Sequence, residues 1–305
     1  MFVSTFLERG KESIMVEDWL ANAYGGLSRR EFMASIGAAG VGLAGFAVAA
    51  TPVAGKVIRT PVEDLVIAET SVGSGGFPVP VYEARPTAAG RYPVVLIIPE
   101  IFGMHEHIRD VTRRFAREGF LAVTFEPYAR EGGVLHLPDI AATLKVANAV
   151  PDGRVMGDLD AVTAYAARHP SAQGERIGVT GFCRGGLYTL LFAAHTTALK
   201  AAVPWYGQIR PALTPGVRTF GPLDVADKIR VPVLGLYGGA DLGIPTGDVK
   251  ALESVLVKAG VTAEFVVYPD APHAFFADYR PSFRAEAAAD AWNRCLDWFN
   301  RYLRA

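Results

Sequence analysis

Short apolar runs alternate with amphipathic runs along most of the chain. Residues 92–98 are apolar at almost every position and end at Pro99, as is typical of a strand buried on both faces of a sheet. Residues 105–118 repeat their apolar positions with helical spacing, and Gly119 follows as a stop signal. The same patterns predict a hairpin at 64–70 and 79–83, strands at 120–125, 176–181, 200–206, 231–237 and 263–268, and helices at 158–168, 187–195, 250–258 and 283–303.

This alternation of strands and helices predicts an α/β fold with a mostly parallel central sheet flanked by helices. We see no internal repeat and no low-complexity linker, so residues 51–305 are expected to form a single domain. Residues 128–151 are the least regular part and are expected to form a flap over the carboxyl edge of the sheet. Sites in open α/β sheets lie at that edge.

The first fifty residues have a different character. Arg29 and Arg30 precede an uncharged run, 34–50, of Ala, Gly, Val, Ile, Leu and Phe with a single Ser. The run is too short and too rich in glycine for a membrane span of about 20 strongly apolar residues. It predicts a twin-arginine signal segment, 1–50, that ends near an A-x-A site at 47–49. We therefore expect the twin-arginine export machinery as a partner and a periplasmic or exported protein. The alternatives are a buried helix rich in Ala and Gly or a retained anchor.

Charge and cysteine content narrow the function classes. The 305 residues include 30 Lys and Arg against 31 Asp and Glu, for a formal net charge of -1, so no basic surface points to a nucleic-acid partner. Two cysteines, Cys183 and Cys295, are too few for a disulfide framework. A free thiol in an oxidising compartment would be unusual, which draws attention to both.

Residues 181–186, Gly-Phe-Cys-Arg-Gly-Gly, follow a predicted strand and open a predicted helix. This is the G-x-S-x-G nucleophile elbow with Cys183 in place of serine. The helix N-terminus favours a thiolate, and the N–H of Arg184 is a candidate oxyanion donor. The alternatives are a buried structural thiol or a disulfide with Cys295, which we expect to be a packed residue of the last helix.

A nucleophile of this kind needs a base and an acid that follow it in the order nucleophile, acid, histidine. His273 lies in the turn after the last predicted strand, and Asp241 follows the strand 231–237 through a short glycine turn. Asp224, Asp248 and Asp270 are weaker alternatives for the acid. We expect no metal site at His105 and His107, because residues two apart on a helix point in different directions.

The loop after the strand 92–98 is the expected source of the second oxyanion donor, the N–H of Ile101. Glu100 ends this apolar strand with a carboxylate, whose burial is costly unless the charge is paired. A carboxylate close to a thiol also opposes thiolate formation, so we expect a gated nucleophile.

Together these residues resemble the dienelactone hydrolase (carboxymethylenebutenolidase) family of the α/β-hydrolase fold, from about Val79 to the C-terminus. The matching stretches are 99–103, 106–110, 127–130, 181–186 and the surroundings of Asp241 and His273. The resemblance implies a Cys183–His273–Asp241 triad. It also implies that Glu100 holds the resting thiol protonated and swings away when substrate binds.

The resemblance implies a substrate-binding surface as well. Arg130 would pair with a substrate carboxylate, and Tyr128 and Phe102 would line the site. The family carries a second binding arginine four residues after the histidine, where this chain has Ala277, and Arg280 is the nearest substitute. This departure weakens the case for dienelactone itself.

The resulting hypothesis is a hydrolase of a lactone or carboxylic ester that acts through an acyl-thioester, with no metal, nucleotide or flavin required. The partner is then a small-molecule ester or lactone. Two alternatives remain: an acyl transferase or thioesterase on the same fold, and a catalytically silent relative that only binds.

Overall fold

A computed structural model describes residues 57–304, so the predicted signal segment lies outside the described residues. Eight strands form one sheet in the order β1-β2-β4-β3-β5-β6-β7-β8. The hairpin β1–β2 and the pair β2–β4 are antiparallel, and all other neighbours are parallel. The strands are β1 Leu65–Ser74, β2 Phe77–Pro86, β3 Tyr92–Ile98, β4 Leu121–Phe125, β5 Ala172–Phe182, β6 Leu199–Trp205, β7 Val233–Gly238 and β8 Ala263–Tyr268.

Helices connect the parallel strands and cover the sheet. They are α1 Glu106–Arg117, α2 Ile140–Ala149, α3 Asp152–Ala167, α4 Arg184–His195, α5 Thr246–Lys258 and α6 Ala285–Leu303, with short 3₁₀ helices at Ala129–Glu131 and Pro222–Lys228. Among residues 57–304, none of the helices combines the length and apolar character needed to cross a membrane.

The core lies on both faces of the parallel strands. Every residue of β4 and β7 is buried, which explains why these strands consist of apolar runs without alternation. The helix α6 packs closely on β5 at Gly178, where a Cβ atom would overlap the ring of Phe299. Cys295 is a fully buried core residue of the same helix, and both cysteines are free thiols, so the disulfide alternative is wrong.

The predicted α/β class and mostly parallel sheet are confirmed, and the differences concern element ends. β1 and β2 extend further and meet at the turn Gly75–Gly76, while α3 begins at Asp152. The segment 128–151 is not irregular throughout, because it contains α2. Asp139 caps that helix by accepting a hydrogen bond from the N–H of Ala142 at 2.7 Å.

Candidate active site

The carboxyl edge of the parallel strands brings the predicted reactive residues together. Glu100 follows β3, Cys183 follows β5, Asp241 follows β7 and His273 follows β8. Cys183 has φ 57° and ψ -112°, a strained conformation for a residue with a side chain. A Cβ at Gly185 would overlap the carbonyl oxygen of Ile98, so the tight turn from β5 to α4 excludes a side chain there. The elbow predicted for Cys183 is therefore present in the backbone.

His273 connects the acid to the thiol. Its Nδ1 lies 2.7 Å from Oδ2 of Asp241, and its ring also forms a hydrogen bond with the Cys183 side chain. Asp241 is itself fixed, because Oδ1 accepts a hydrogen bond from the N–H of Gly243 at 2.8 Å. All three side chains of the predicted triad are buried. The arrangement can move a proton between the sulfur and the imidazole.

The surroundings favour a protonated imidazole at His273. Burial lowers its pKa, but the Asp241 carboxylate and then Cys183 raise it more, and the resulting pKa is about 10. A cationic His273 beside the Asp241 carboxylate can stabilise negative charge that develops on a neighbouring sulfur.

The alternative acids lie elsewhere or have other partners. Asp224 accepts a hydrogen bond from the N–H of Gly221 at 2.8 Å, and Asp248 pairs with Arg210 at 3.0 Å. Asp270 is exposed. The carboxylate that the structure brings to His273 is that of Asp241.

The two backbone amides predicted as oxyanion donors lie at the ends of neighbouring strands, after β3 and after β5. The N–H of Arg184 is the first of helix α4, and that of Ile101 lies in the loop after β3. Within residues 57–304, neither N–H donates a hydrogen bond to another group. Both are therefore available to stabilise negative charge on a carbonyl oxygen.

Glu100 is buried and paired with Arg280. Its Oε2 accepts a hydrogen bond from the guanidinium at 2.6 Å, and both carboxylate oxygens lie 3.2 Å from the hydroxyl of Tyr279. Burial opposes the charge, but Arg280 and then His105 hold the pKa of Glu100 well below its usual range. The carboxylate is thus ionised and directed to Arg280, which in turn lies over the ring of Phe102 at 4.7 Å.

The two arginines expected to bind substrate are both already paired. Arg130 forms a bidentate ion pair with the fully buried Asp158, at 2.6 and 2.9 Å, and its guanidinium also donates to the carbonyl of Ser74. Arg280 is paired with Glu100. Ala277, which lies three residues before Arg280, is buried. The charge of each guanidinium is therefore already compensated by a carboxylate of the protein.

The histidine pair near α1 differs from the expectation. His105 precedes the helix, and its ring stacks on that of His107 with centroids 6.0 Å apart, so the two do not point in different directions. His107 Nδ1 lies 3.2 Å from Asp278. Within the described part of the chain, no group of three or more His, Cys, Asp or Glu side chains could hold a metal ion.

Glu126 is a residue that the sequence reasoning missed. Its carboxylate accepts hydrogen bonds from the N–H of Met104 at 2.7 Å and the N–H of Tyr128 at 2.9 Å. It therefore fastens the loop that carries Ile101 to the loop that carries Tyr128. Gly103, with φ 67°, packs against it so closely that a Cβ would overlap the carboxylate. An acid directly after a buried strand, as at Glu100, is the signal that could have revealed it.

Tyr206 is a second missed residue. It follows β6 with φ 37°, and its ring lies 5.2 Å from that of His273. Its hydroxyl is buried with no hydrogen-bond partner among the described residues. The ring forms one wall beside the imidazole.

A parallel sheet, a nucleophile elbow after β5 and an acid and a histidine after β7 and β8 define an α/β-hydrolase. The comparison with known proteins narrows this class. Residues 79–303 match the family model described as "Dienelactone hydrolase family". The chain belongs to the dienelactone hydrolase family.

Individual relatives agree with this assignment. A Methylorubrum extorquens protein named "Putative carboxymethylenebutenolidase" is 46% identical over 281 residues, which cover 90% of this chain and 94% of that protein. A crystal structure of a "Putative Dienelactone Hydrolase" from Klebsiella pneumoniae is 46% identical with a TM-score of 0.75, and covers 78% of this chain and 99% of that one. A Bradyrhizobium protein named "Probable 2-oxo-3-(5-oxofuran-2-ylidene)propanoate lactonase" is 30% identical over 244 residues, which cover 79% of this chain and 96% of that protein.

Proposed function

We propose that this protein hydrolyses a lactone or carboxylic ester through the triad Cys183–His273–Asp241 and an acyl-thioester. The observation that carries the proposal is His273, which bonds Asp241 through one ring nitrogen and is also hydrogen-bonded to the Cys183 side chain. Membership of the dienelactone hydrolase family supports the reaction class. The lactonase name of the Bradyrhizobium relative supports a lactone as one form of the substrate.

The reaction proceeds by acyl transfer to sulfur and then to water. The Cys183 thiolate adds to the carbonyl carbon, and the carbonyl π electrons move to the oxygen, where the N–H groups of Ile101 and Arg184 stabilise the charge. The C–O bond to the alcohol breaks, and protonated His273 gives its proton to the departing oxygen. Neutral His273 then removes a proton from water, whose oxygen attacks the thioester. The C–S bond breaks, releasing the acid and restoring the thiolate and the imidazolium.

The direct test is hydrolysis of dienelactone and 4-nitrophenyl acetate, measured side by side with the purified protein. We expect the acetate to be cleaved, because the elbow, triad and amides act on any accessible ester carbonyl. We expect dienelactone to be the slower substrate, because Arg130 and Arg280 are paired within the protein. Turnover of neither compound, with an intact thermal melt, would contradict the proposal. Turnover that needs an added alcohol or thiol acceptor would favour the acyl transferase alternative.

Glu100 is proposed to gate the thiol by moving between two partners. Arg280 holds it in the described arrangement, and the resemblance places it against the resting thiol. We expect Glu100→Gln to change the pH dependence of Cys183 alkylation by iodoacetamide, because a neutral amide neither repels the thiolate nor binds Arg280 as an ion pair. The alkylation rate is followed by mass spectrometry between pH 5 and pH 9, a range chosen around neutrality. A pH profile identical to the wild type would remove the gating role.

Export is proposed from the sequence of segment 1–50, with its paired arginines and uncharged run, which lies outside the described residues. We expect Arg29→Lys together with Arg30→Lys to abolish export, because the signal is read through both arginines. The measurement is the amount of protein in periplasmic and cytoplasmic fractions, with Arg9→Lys as the matched control. Undiminished periplasmic protein in the double variant would refute the signal.

A further inference from the structure

Arg184 differs from the other buried arginines in its lack of an anionic partner. Within residues 57–304, four arginines are buried, each with 8% or less of its surface exposed, and Arg184 alone among them has no carboxylate partner. A buried charge is costly unless an opposite charge compensates it. The three paired arginines are Arg113 with Glu106 and Asp110, Arg218 with Asp152, and Arg280 with Glu100.

The hydrogen bonds of Arg184 are incomplete as well. Its NH2 group donates to the neutral side-chain oxygen of Asn148, on helix α2. Its NH1 group is buried and has no hydrogen-bond partner among the described residues. The two N–H bonds of NH1 are therefore buried from solvent and have no acceptor among the described residues. An anion at this position would accept hydrogen bonds from them.

This cation lies close to the nucleophile. Arg184 follows Cys183 directly, and the hydroxyl of Tyr128 lies in the electrostatic field of both residues. Burial raises the pKa of Tyr128, and Cys183 raises it further. The charge of Arg184 lowers this pKa. Helix α2, which supplies Asn148, belongs to the segment expected to form a flap over the site. The guanidinium of the residue next to the nucleophile is thus in direct contact with that segment.

We infer that the Arg184 side chain is an anion-binding subsite that receives a carboxylate of the substrate. The role of this subsite in turnover rests on the proposed function, whereas the affinity of the subsite for an anion does not depend on that function. Arg130 and Arg280, the residues that the resemblance implies for this task, are neutralised by Asp158 and Glu100. Among the buried arginines of the described chain, Arg184 alone carries a positive charge without an anionic partner. The preferred substrate class is then a lactone or ester that carries a carboxylate a few bonds from the reacting carbonyl.

The kinetic test uses two esters that differ only in charge, 4-acetoxybenzoate and 4-acetoxybenzamide, whose para substituents cannot attack their own ester. We expect the wild type to prefer the carboxylate in kcat/KM, and Arg184→Met to reduce this preference by about tenfold or more, mainly through KM. The backbone N–H survives in Arg184→Met, so the oxyanion donor is kept. Arg184→Lys retains the charge without the planar fork, and we expect an intermediate preference.

The binding test needs no turnover. Benzoate should raise the melting temperature of the wild type, because a ligand that binds only the folded state stabilises it, and benzamide should raise it less. Arg184→Met should lose the benzoate shift. Arg91→Met is the matched control, since Arg91 is an exposed arginine directly before β3, at the opposite edge of the sheet from Glu100. We expect it to keep both the shift and the ester preference.

The two measurements separate the subsite from the reaction. If the wild type cleaves neither ester but loses its benzoate shift in Arg184→Met, the proposed hydrolysis fails and the subsite stands. If Arg184→Met keeps the shift and the preference, or if the wild type shows neither, the inference is overturned. We expect Arg184→Met to melt no lower than the wild type, because it removes an unpaired buried charge. Should it fail to fold, Arg184→Lys decides the outcome by the same two readouts.

Discussion

Replacement of Cys183 by alanine is expected to reduce kcat/KM for ester hydrolysis by at least about 10³-fold. In the proposed mechanism the Cys183 thiolate forms the covalent bond to the acyl group, and residues 181–186 contain no other nucleophilic side chain. The fold should survive, because alanine keeps the Cβ atom and the elbow backbone depends on the flanking glycines. The measurement is turnover of 4-nitrophenyl acetate together with a thermal melt.

The chain offers a matched control in Cys295, its only other cysteine. Cys295→Ala removes a thiol from the core and should lower the melting temperature slightly while turnover is retained. Burial raises the pKa of Cys295 well above its usual range, so iodoacetamide should label Cys183 and not Cys295. Near wild-type turnover in Cys183→Ala would remove the thiol from the mechanism. A comparable loss in Cys295→Ala would show that the assay reports folding.

The fold could be predicted where burial is expressed directly in the sequence. The strands β3, β4, β7 and β8 are largely apolar runs that are followed directly by Gly, Pro or an acid. The order of the strands with the intervening helices predicts the mostly parallel sheet that the structure confirms. The dienelactone hydrolase family, predicted from five short stretches, is confirmed by the match over residues 79–303. Helix α2 was not predicted, because its apolar residues do not form a distinct face and only two residues of the helix, the polar Thr143 and the apolar Ala147, are buried.

The candidate site, like the fold, could be predicted from the sequence only in part. Strand ends and chain order were enough to predict that Cys183, Asp241 and His273 meet, because the carboxyl ends of parallel strands share one edge. The ion pairs were not predictable. Arg130 and Asp158 are separated by 28 residues, and Glu100 and Arg280 by 180, so nothing local relates either pair. Which arginine is left without an anion is a property of the packed molecule, which is why Arg184 stood out only in the structure.

Asp241→Asn is expected to lower kcat/KM by roughly 10³ to 10⁴-fold, as the loss of the acid does in other triads. The variant keeps the shape of the side chain but loses the charge that raises the pKa of His273 most. In the wild type that pKa is about 10, so the imidazolium is present below pH 10 and is lost as the pH rises through that value. Without Asp241 the largest contribution that raises the pKa of His273 is lost, so this pKa should fall. The alkaline limb of the pH–rate profile should therefore move to lower pH.

Asp224→Asn is the matched control, because Asp224 is another acid between nucleophile and histidine that lies on a different element. Its carboxylate accepts a hydrogen bond from the N–H of Gly221, and the amide oxygen of Asn can accept the same bond, so the variant should change stability little and leave both turnover and the alkaline limb in place. Circular dichroism at each pH establishes that the protein stays folded across the profile. If Asp241→Asn kept turnover within about threefold of the wild type, or if the alkaline limb did not move, His273 would be oriented and charged by another group. The bond between its Nδ1 and Asp241 would then be structural alone.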